Sequence, residues 1–480
     1  MRPQFTVSEL LKILKSKNAS SVEITKHYLD TIKRLDDKIA SFITVCESRA
    51  LKAASLADDK ISQGEFSGLL GIPYAAKDNL CTKGITTTCG SKMLENFIPP
   101  YNATVIEKLS GSVLLGKLNM DEFGMGSSTE NSYFKTTKNP HNLSCVAGGS
   151  SGGAAAAVAA GLVPFALASD TGGSVRQPAS FCGCVGVKPT YGRVSRSGLI
   201  SYASSLDQIG VIANNVSDAA LVLKNISGQD AKDSTTVSKD FAFEIKGNIK
   251  GMKIGIPQEY FKGEICDEIK EKVIKSVRTL ESLGAKVEQC TVANAKKILS
   301  AYYIIACAEA SSNLARYDGI KYGFRADGEK IEDIYTKTRT DGFGNEAKRR
   351  IMLGSYVLSA GFKDEYYKKA CNVRNLVTEC FDKCFEKYDA LITPTTTQTA
   401  FKCSENKSSS QMYMLDFCTV SANLAGLPAI SIPCGLDVDR MPIGLQIITN
   451  RFNEQTMFDL AYALQQELKL NIKPEIIGDV

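Results

Sequence analysis

Two hydrophobic periods alternate along this chain. Near the N-terminus the period is helical. Thr6-x-x-Glu9 and Ser20-x-x-Glu23 each fit a capping box, and behind the second one Ile24, Tyr28, Ile32 and Leu35 fall on a single face. His27 borders that stripe and reads as a partly exposed surface residue. Further on, short apolar runs bounded by turn residues read as buried strands: Gly71–Ala76, leading into Lys77-Asp78-Asn79, then Val113–Gly116 and Val163–Ala168. Ala154–Ala160 reads as a helix by propensity, stopped by Gly161. Strands follow at Lys253–Ile256, Ala390–Ile392, Ala429–Ile432 and Ile443–Ile448. Helices are expected at Asp267–Leu283 and Asp364–Glu386, and a long polar loop at Gly228–Gly251. This alternation predicts an α/β fold built on a large, mostly buried sheet. No clean linker or repeat divides residues 1–480, so one domain is expected: an N-terminal helical region over 1–60 and an α/β core over 61–480.

Composition narrows the picture only a little. A net charge of +5 over 480 residues permits a nucleic-acid partner without indicating one. Fifteen cysteines at irregular spacings follow an N-terminus with no apolar leader, which points to reduced, inert thiols in the cytosol and to no metal site. The most apolar stretch, Ala154–Ala168, is broken by Gly161 and Pro164 and falls short of the roughly 20 residues a membrane span needs, so no membrane partner is expected.

The chemistry concentrates between Gly148 and Ala179. Glycine and serine cluster at Gly148–Gly153 and again at Gly172–Ser174, on either side of the predicted helix and returning strand. Both clusters can therefore reach one edge of the sheet. Backbone N–H groups at Thr171, Gly172, Gly173 and Ser174 can form an anion-binding nest. Beside a nucleophile such a nest is an oxyanion hole, each donor contributing about 3–4 kcal/mol to the transition state. The chain has only two histidines, His27 and His141, so a serine nucleophile here needs another base. Lysine serves when neutral. Bringing its ordinary pKa of about 10.4 near 7–8 costs roughly 3–4 kcal/mol, which burial in a desolvated site supplies. Lys77 ends an apolar strand and is the candidate. Taken singly, a Gly/Ser loop equally suits a turn or a phosphate cradle, and a lone lysine an exposed charge.

Together, Lys77, Gly148-Gly-Ser-Ser-Gly-Gly153 and Asp170-Thr-Gly-Gly-Ser-Val-Arg-Gln-Pro178 resemble the amidase signature family. The resemblance covers nearly the whole chain. Gly116–Phe123, Val187–Ser195, Ser204–Gly210, Glu309–Arg316 and Lys348–Gly354 are similar to one branch, the glutaminase subunits of tRNA-dependent amidotransferases. It implies a large twisted mixed sheet with helices on both faces. It also implies a Ser-Ser-Lys mechanism: Ser174 as acylated nucleophile, Ser150 as bridging serine on a cis peptide bond, and Lys77 as base. Thr171, Gly172 and Gly173 would form the oxyanion hole. Glutamine is a zwitterion at its α end. By motif position Arg350 would hold its carboxylate and Asp416 its ammonium, with Tyr302 and Ser127 nearby. Arg349 is expected to point elsewhere, Asp170 and Arg176 to brace the loop, and Asp78 to be structural.

The implied function is hydrolysis of glutamine to supply ammonia. A B subunit would amidate Glu-tRNA(Gln) or Asp-tRNA(Asn) with ATP and Mg, and a C subunit would wrap the interface of a heterotrimer. This chain carries no Gly-x4-Gly-Lys-Ser/Thr phosphate loop and needs no cofactor of its own on this view. Two alternatives stand beside it: a stand-alone amidase acting on another small amide, and a non-catalytic tRNA-binding scaffold. Two positions depart from the branch pattern. Ala154 stands where a further serine is common, and Thr393–Thr397 lacks a second proline.

Overall fold

A computed structural model describes residues 5–239, 244–262, 265–292, 295–405, 407–470, 472–474 and 476. The strands are β1 (Phe42–Val45), β2 (Pro73–Lys77), β3 (Val113–Leu118), β4 (Lys138–Asn139), β5 (Asn142–Val146), β6 (Phe165–Asp170), β7 (Val185–Lys188), β8 (Gln208–Ala213), β9 (Lys253–Pro257), β10 (Lys286–Cys290), β11 (Ala390–Pro394), β12 (Ala429–Leu436) and β13 (Pro442–Thr449). Eleven of them form one mixed sheet in the order β1-β3-β2-β6-β8-β7-β12-β13-β11-β9-β10, while β4 and β5 pair apart. β2 runs parallel to both β3 and β6, and β9 parallel to β10 and β11; the other pairings are antiparallel. Every residue of β2, β6, β7, β8, β11 and β13 is buried, so helices and loops cover both faces of the central sheet.

Local chemistry accounts for the main boundaries. Both N-terminal capping boxes form, on the helices Val7–Lys15 and Ser21–Ile39, and each satisfies donors that a helix start leaves open. The Ala-rich helix occupies Gly152–Ala159, buried throughout, and Gly161 follows it at φ +71°. Strand β6 departs from expectation by running through Ser169 and Asp170, which pair with Ile209 and Gln208 of β8. Their polar side chains stay in the sheet because each finds buried partners: Ser169 meets Lys77 and Asn79, and Asp170 meets Arg176 and Asn423. The expected helix Asp364–Glu386 opens as a π-helical turn over Lys363–Lys368 before Lys369–Lys387 continues as α-helix. The described part of 228–251 carries neither helix nor a paired strand of the sheet. Among the described residues no helix is long and apolar enough to cross a membrane.

Candidate active site

The C-terminal ends of the adjacent parallel strands β2 and β6 bring the site together. Ala75 and Ala76 lie opposite Ala166 and Leu167, so Lys77 and the loop after Asp170 emerge side by side. Lys77 is fully buried. Its Nζ lies 2.7 Å from Ser150 Oγ, 2.8 Å from Ser151 Oγ and 3.1 Å from Ser169 Oγ. Burial drives its pKa down to about 7, opposed by the carboxylates of Asp121, Asp170 and Asp207. The Gly149–Ser150 peptide is cis. Gly149 is required by a close approach: a Cβ there would collide with the Asp121 carboxylate and lie 2.6 Å from the Ser128 nitrogen.

Ser174 sits half-buried on the loop that follows β6, and its hydroxyl has no hydrogen bond among the described residues. The loop is braced from below. Asp170 receives the Gly173 N–H at 2.8 Å and the Val175 N–H at 3.2 Å, and Arg176 donates to both of its oxygens at 2.9 and 3.0 Å. Burial pushes the Asp170 carboxyl up, but Arg176 beside it prevails and holds it well below the usual carboxylate range. The expected oxyanion nest needs a correction at one position. Gly173 spends its N–H on Asp170, which leaves the N–H groups of Thr171, Gly172 and Ser174 without a partner among the described residues. Asp207 fixes the Thr171 side chain at 2.6 Å, and Thr419 donates to the Gly172 carbonyl at 2.6 Å.

A pocket of about 220 Å³ adjoins this cluster, walled by Ser127, Tyr303, Glu346, Arg350 and Tyr413. The Gln177 side chain bridges it to the serine turn. Gln177 accepts the Gly149 N–H at 2.9 Å and donates to the Ser127 carbonyl at 3.1 Å. The pocket is lined by charges of both signs, among them Glu346 and Arg350, and Asp416 reaches it through the lining residues Ser127 and Tyr303. Arg350, buried, donates to Glu346 at 2.7 Å and to the Tyr202 hydroxyl at 2.5 Å, with its guanidinium over the rings of Tyr202, Tyr303 and Tyr413. Asp416 accepts from Ser127 at 3.1 Å and from Tyr303 at 2.7 Å, and burial raises it to about 6.

Tyr303 joins the site beside Tyr302, and one expectation, that for Arg349, is overturned. The hydroxyl on Asp416 belongs to Tyr303, while that of Tyr302 lies against Gly172, where a Cβ would clash with it. Neighbours on a helix point about 100° apart, so Tyr302 and Tyr303 of Ala295–Asn313 serve different ends of the site. Arg349 does not point elsewhere. It pairs with Glu346, lies over Tyr413 and lines the same pocket at its more exposed side. Sequence reasoning missed Ser151 and Ser169 as partners of Lys77, and Tyr202, Tyr303 and Glu346 as partners of the charged pair. Only Ser151, beside Ser150, carried a signal. Asp78 pairs with Lys117 at 3.1 Å in a buried contact, and all fifteen cysteines are free.

A buried lysine among serines, beside a loop of free N–H donors, is the layout of a serine amidase without histidine, and the sequence model of the Amidase family matches residues 23–458. The chain belongs to the amidase signature family. It is 55% identical to the glutamyl-tRNA(Gln) amidotransferase A subunit of Thermoanaerobacter pseudethanolicus, with 98% of each chain covered. It is 51% identical to the protein of that name from Alkaliphilus metalliredigens, over 97% of this chain and 96% of that one. Among solved structures, the corresponding glutamyl-tRNA(Gln) amidotransferase chain of Thermotoga maritima superposes with a TM-score of 0.81 at 43% identity, covering 97% and 95%. A bacterial aryl acylamidase of the amidase signature family gives 0.86 at 26% identity, covering 99% and 98%.

Proposed function

We propose that this chain is the glutaminase subunit of a tRNA-dependent amidotransferase. The observation that carries the reading is one buried amine–serine cluster beside a pocket lined by Arg350, with a buried carboxylate, Asp416, bonded to the pocket residues Ser127 and Tyr303. A simple amide needs the first feature alone. An α-amino acid amide, with free carboxylate and ammonium, uses both. The full-length likeness to amidotransferase A subunits supports the same assignment. B and C subunits, and ATP and Mg held by the B subunit, belong to this reading, as does a cytoplasmic setting.

In the proposed reaction Ser174 Oγ attacks the side-chain carboxamide carbon of glutamine. Its proton passes to Ser150 Oγ, and the Ser150 proton passes to Lys77 Nζ. Contacts of this kind tighten when substrate binds, which is when the Ser174 hydroxyl would close on Ser150. The oxyanion is met by N–H groups of Thr171, Gly172 and Ser174. When the C–N bond breaks, Lys77 returns the proton through Ser150 and ammonia leaves. Water then hydrolyses the Ser174 ester to glutamate. Lys77, with its pKa near 7, is neutral in about half of the molecules at neutral pH, so it can take up the Ser150 proton and give it back within one turnover.

The test is Ser174→Ala in the assembled complex. Glutamine-dependent amidation of the misacylated tRNA is expected to vanish, and added ammonium to restore it. Full glutamine-dependent activity would favour a scaffold; failure of ammonium rescue would remove the division of labour between subunits. Arg350→Ala separates the glutaminase from an amidase of broader taste. It is expected to raise KM for glutamine by roughly 10–100-fold, the worth of a charge-assisted hydrogen bond. Hydrolysis of an amide lacking the α-carboxylate should change little. Glutamine affinity should also weaken as pH falls through about 6, where Asp416 takes up a proton and loses its hold on an ammonium.

A further inference from the structure

Asp121 is a buried acid with no part in the chemistry above, yet it stands where three pieces of the site meet. Its N–H donates to the Ser150 carbonyl at 3.2 Å. Its carboxylate accepts the Thr129 N–H at 2.9 Å on Oδ2 and the Asn131 N–H at 3.1 Å on Oδ1, which closes the loop presenting Ser127. Gly149 and Gly126 both pack on that carboxylate so closely that a Cβ at either would overlap it. One acid thus grips the peptide that carries Ser150 and the loop that carries Ser127. Ser127 in turn donates to Asp416, and Ser150 touches Lys77.

We propose that Asp121 is a positioning residue that locks the Ser150 turn to the Ser127 loop, aligning the proton relay with the arm that holds the substrate ammonium, and that its negative charge acts on the Lys77 amine. The inference rests on the roles proposed for Lys77, Ser150 and Ser127. Burial raises Asp121 to about 6 against the pull of its backbone donors, so it is an anion at neutral pH. The ionisable groups facing Lys77 are Asp121, Asp170 at the end of β6, Asp207 just before β8, and Cys89 on the loop after β2. All are acids, and among them Asp121 acts most strongly. Removing its charge makes protonated Lys77 harder to hold.

The experiment is glutamine hydrolysis by the full chain in its complex, followed across roughly pH 5.5–9, for wild type and Asp121→Asn, with unfolding midpoints measured alongside. The asparagine variant is expected to move the acid limb of the rate profile to lower pH by roughly one unit and to raise KM for glutamine. An acid limb at the wild-type pH with unaltered KM, and activity lost only in proportion to stability, overturns the proposal. Asp121→Ala is the second variant, because it introduces no misdirected NH2 donor beside the Thr129 and Asn131 amides. Added formate is expected to return its acid limb toward wild type, and no response to formate counts against the role. Failure of both variants to fold assigns Asp121 to the architecture alone and also overturns the proposal. A wild-type complex that does not hydrolyse glutamine is a different failure, that of the glutaminase reading itself.

Discussion

Replacing Lys77 by methionine is expected to slow glutamine hydrolysis by about 10²–10⁴-fold, the range a positioned general base supplies. Methionine matches the length and burial of the lysine stem and cannot accept a proton. Arginine, which stays protonated at any workable pH, should fail as completely. In the wild type the rate should rise with pH through about 7, as Lys77 loses its proton. The same burial predicts a stability signature. Lys77 in the folded chain titrates near 7, whereas an unfolded lysine titrates near about 10.4. Between those values the unfolded state binds more protons, so stability rises with pH across the window. Lys188, also fully buried and lowered to about 7 by burial, adds a slope of the same sign. Buried thiols such as Cys184 and Cys418, raised by burial, add a slope of opposite sign above about pH 8.5, so the test is a difference: Lys77→Met should lower the slope of denaturation midpoint against pH between about pH 7 and pH 10 relative to wild type. A variant that keeps hydrolysing glutamine at the wild-type rate would remove Lys77 from the mechanism.

The parts of the molecule legible in sequence are those fixed by local rules. Thr6, Glu9, Ser20 and Glu23 announce two helix starts because capping is a matter of three-residue spacing. Continuous apolar runs mark β2, β6 and β13 because strands buried on both faces have no polar side to show. The scarcity of histidine directs attention to Lys77 before any geometry is known. What could not be read depends on contacts between distant segments. Nothing local tells that Ser169 stays in β6, since its partners Lys77 and Asn79 lie some 90 residues away. Nothing local tells which of Tyr302 and Tyr303 faces Asp416, because both lie on one apolar helix and the choice is set by how that helix docks. Gly173 looks like an oxyanion donor until Asp170 is seen to take its N–H. Arg349 and Arg350 differ in burial, yet one Glu346 carboxylate gathers both at the same pocket.

Substituting Arg176 by methionine is expected to destabilise the fold by about 3–5 kcal/mol, because it strands the Asp170 charge in the interior. Arg176 is wholly buried and also donates to Gln446 at 2.6 Å, Asn423 at 2.5 Å and the Thr419 carbonyl at 3.1 Å. It thus ties the β6 loop to β13 and to the segment after Asp416. The sign of the pH response identifies the cause. In the wild type Asp170 titrates below its unfolded value of about 3.9, so its contribution is intact above that pH and lost only as the pH falls through the lower folded value. Without Arg176, burial is unopposed by its main partner and the Asp170 pKa should rise above the unfolded value. The folded state then binds the extra proton, and the variant gains stability as pH falls toward about 4. The gap between variant and wild type in urea denaturation should accordingly narrow under mild acid. Adding Asp170→Asn to Arg176→Met should recover part of the loss at neutral pH, since no unpaired charge remains. It should not recover glutamine hydrolysis, because the Gly173 and Val175 amides would no longer be held by a carboxylate and Ser174 would lose its fixed place. A gap that widens in acid, or stays constant, would show that Arg176 works through packing and not through the charge of Asp170.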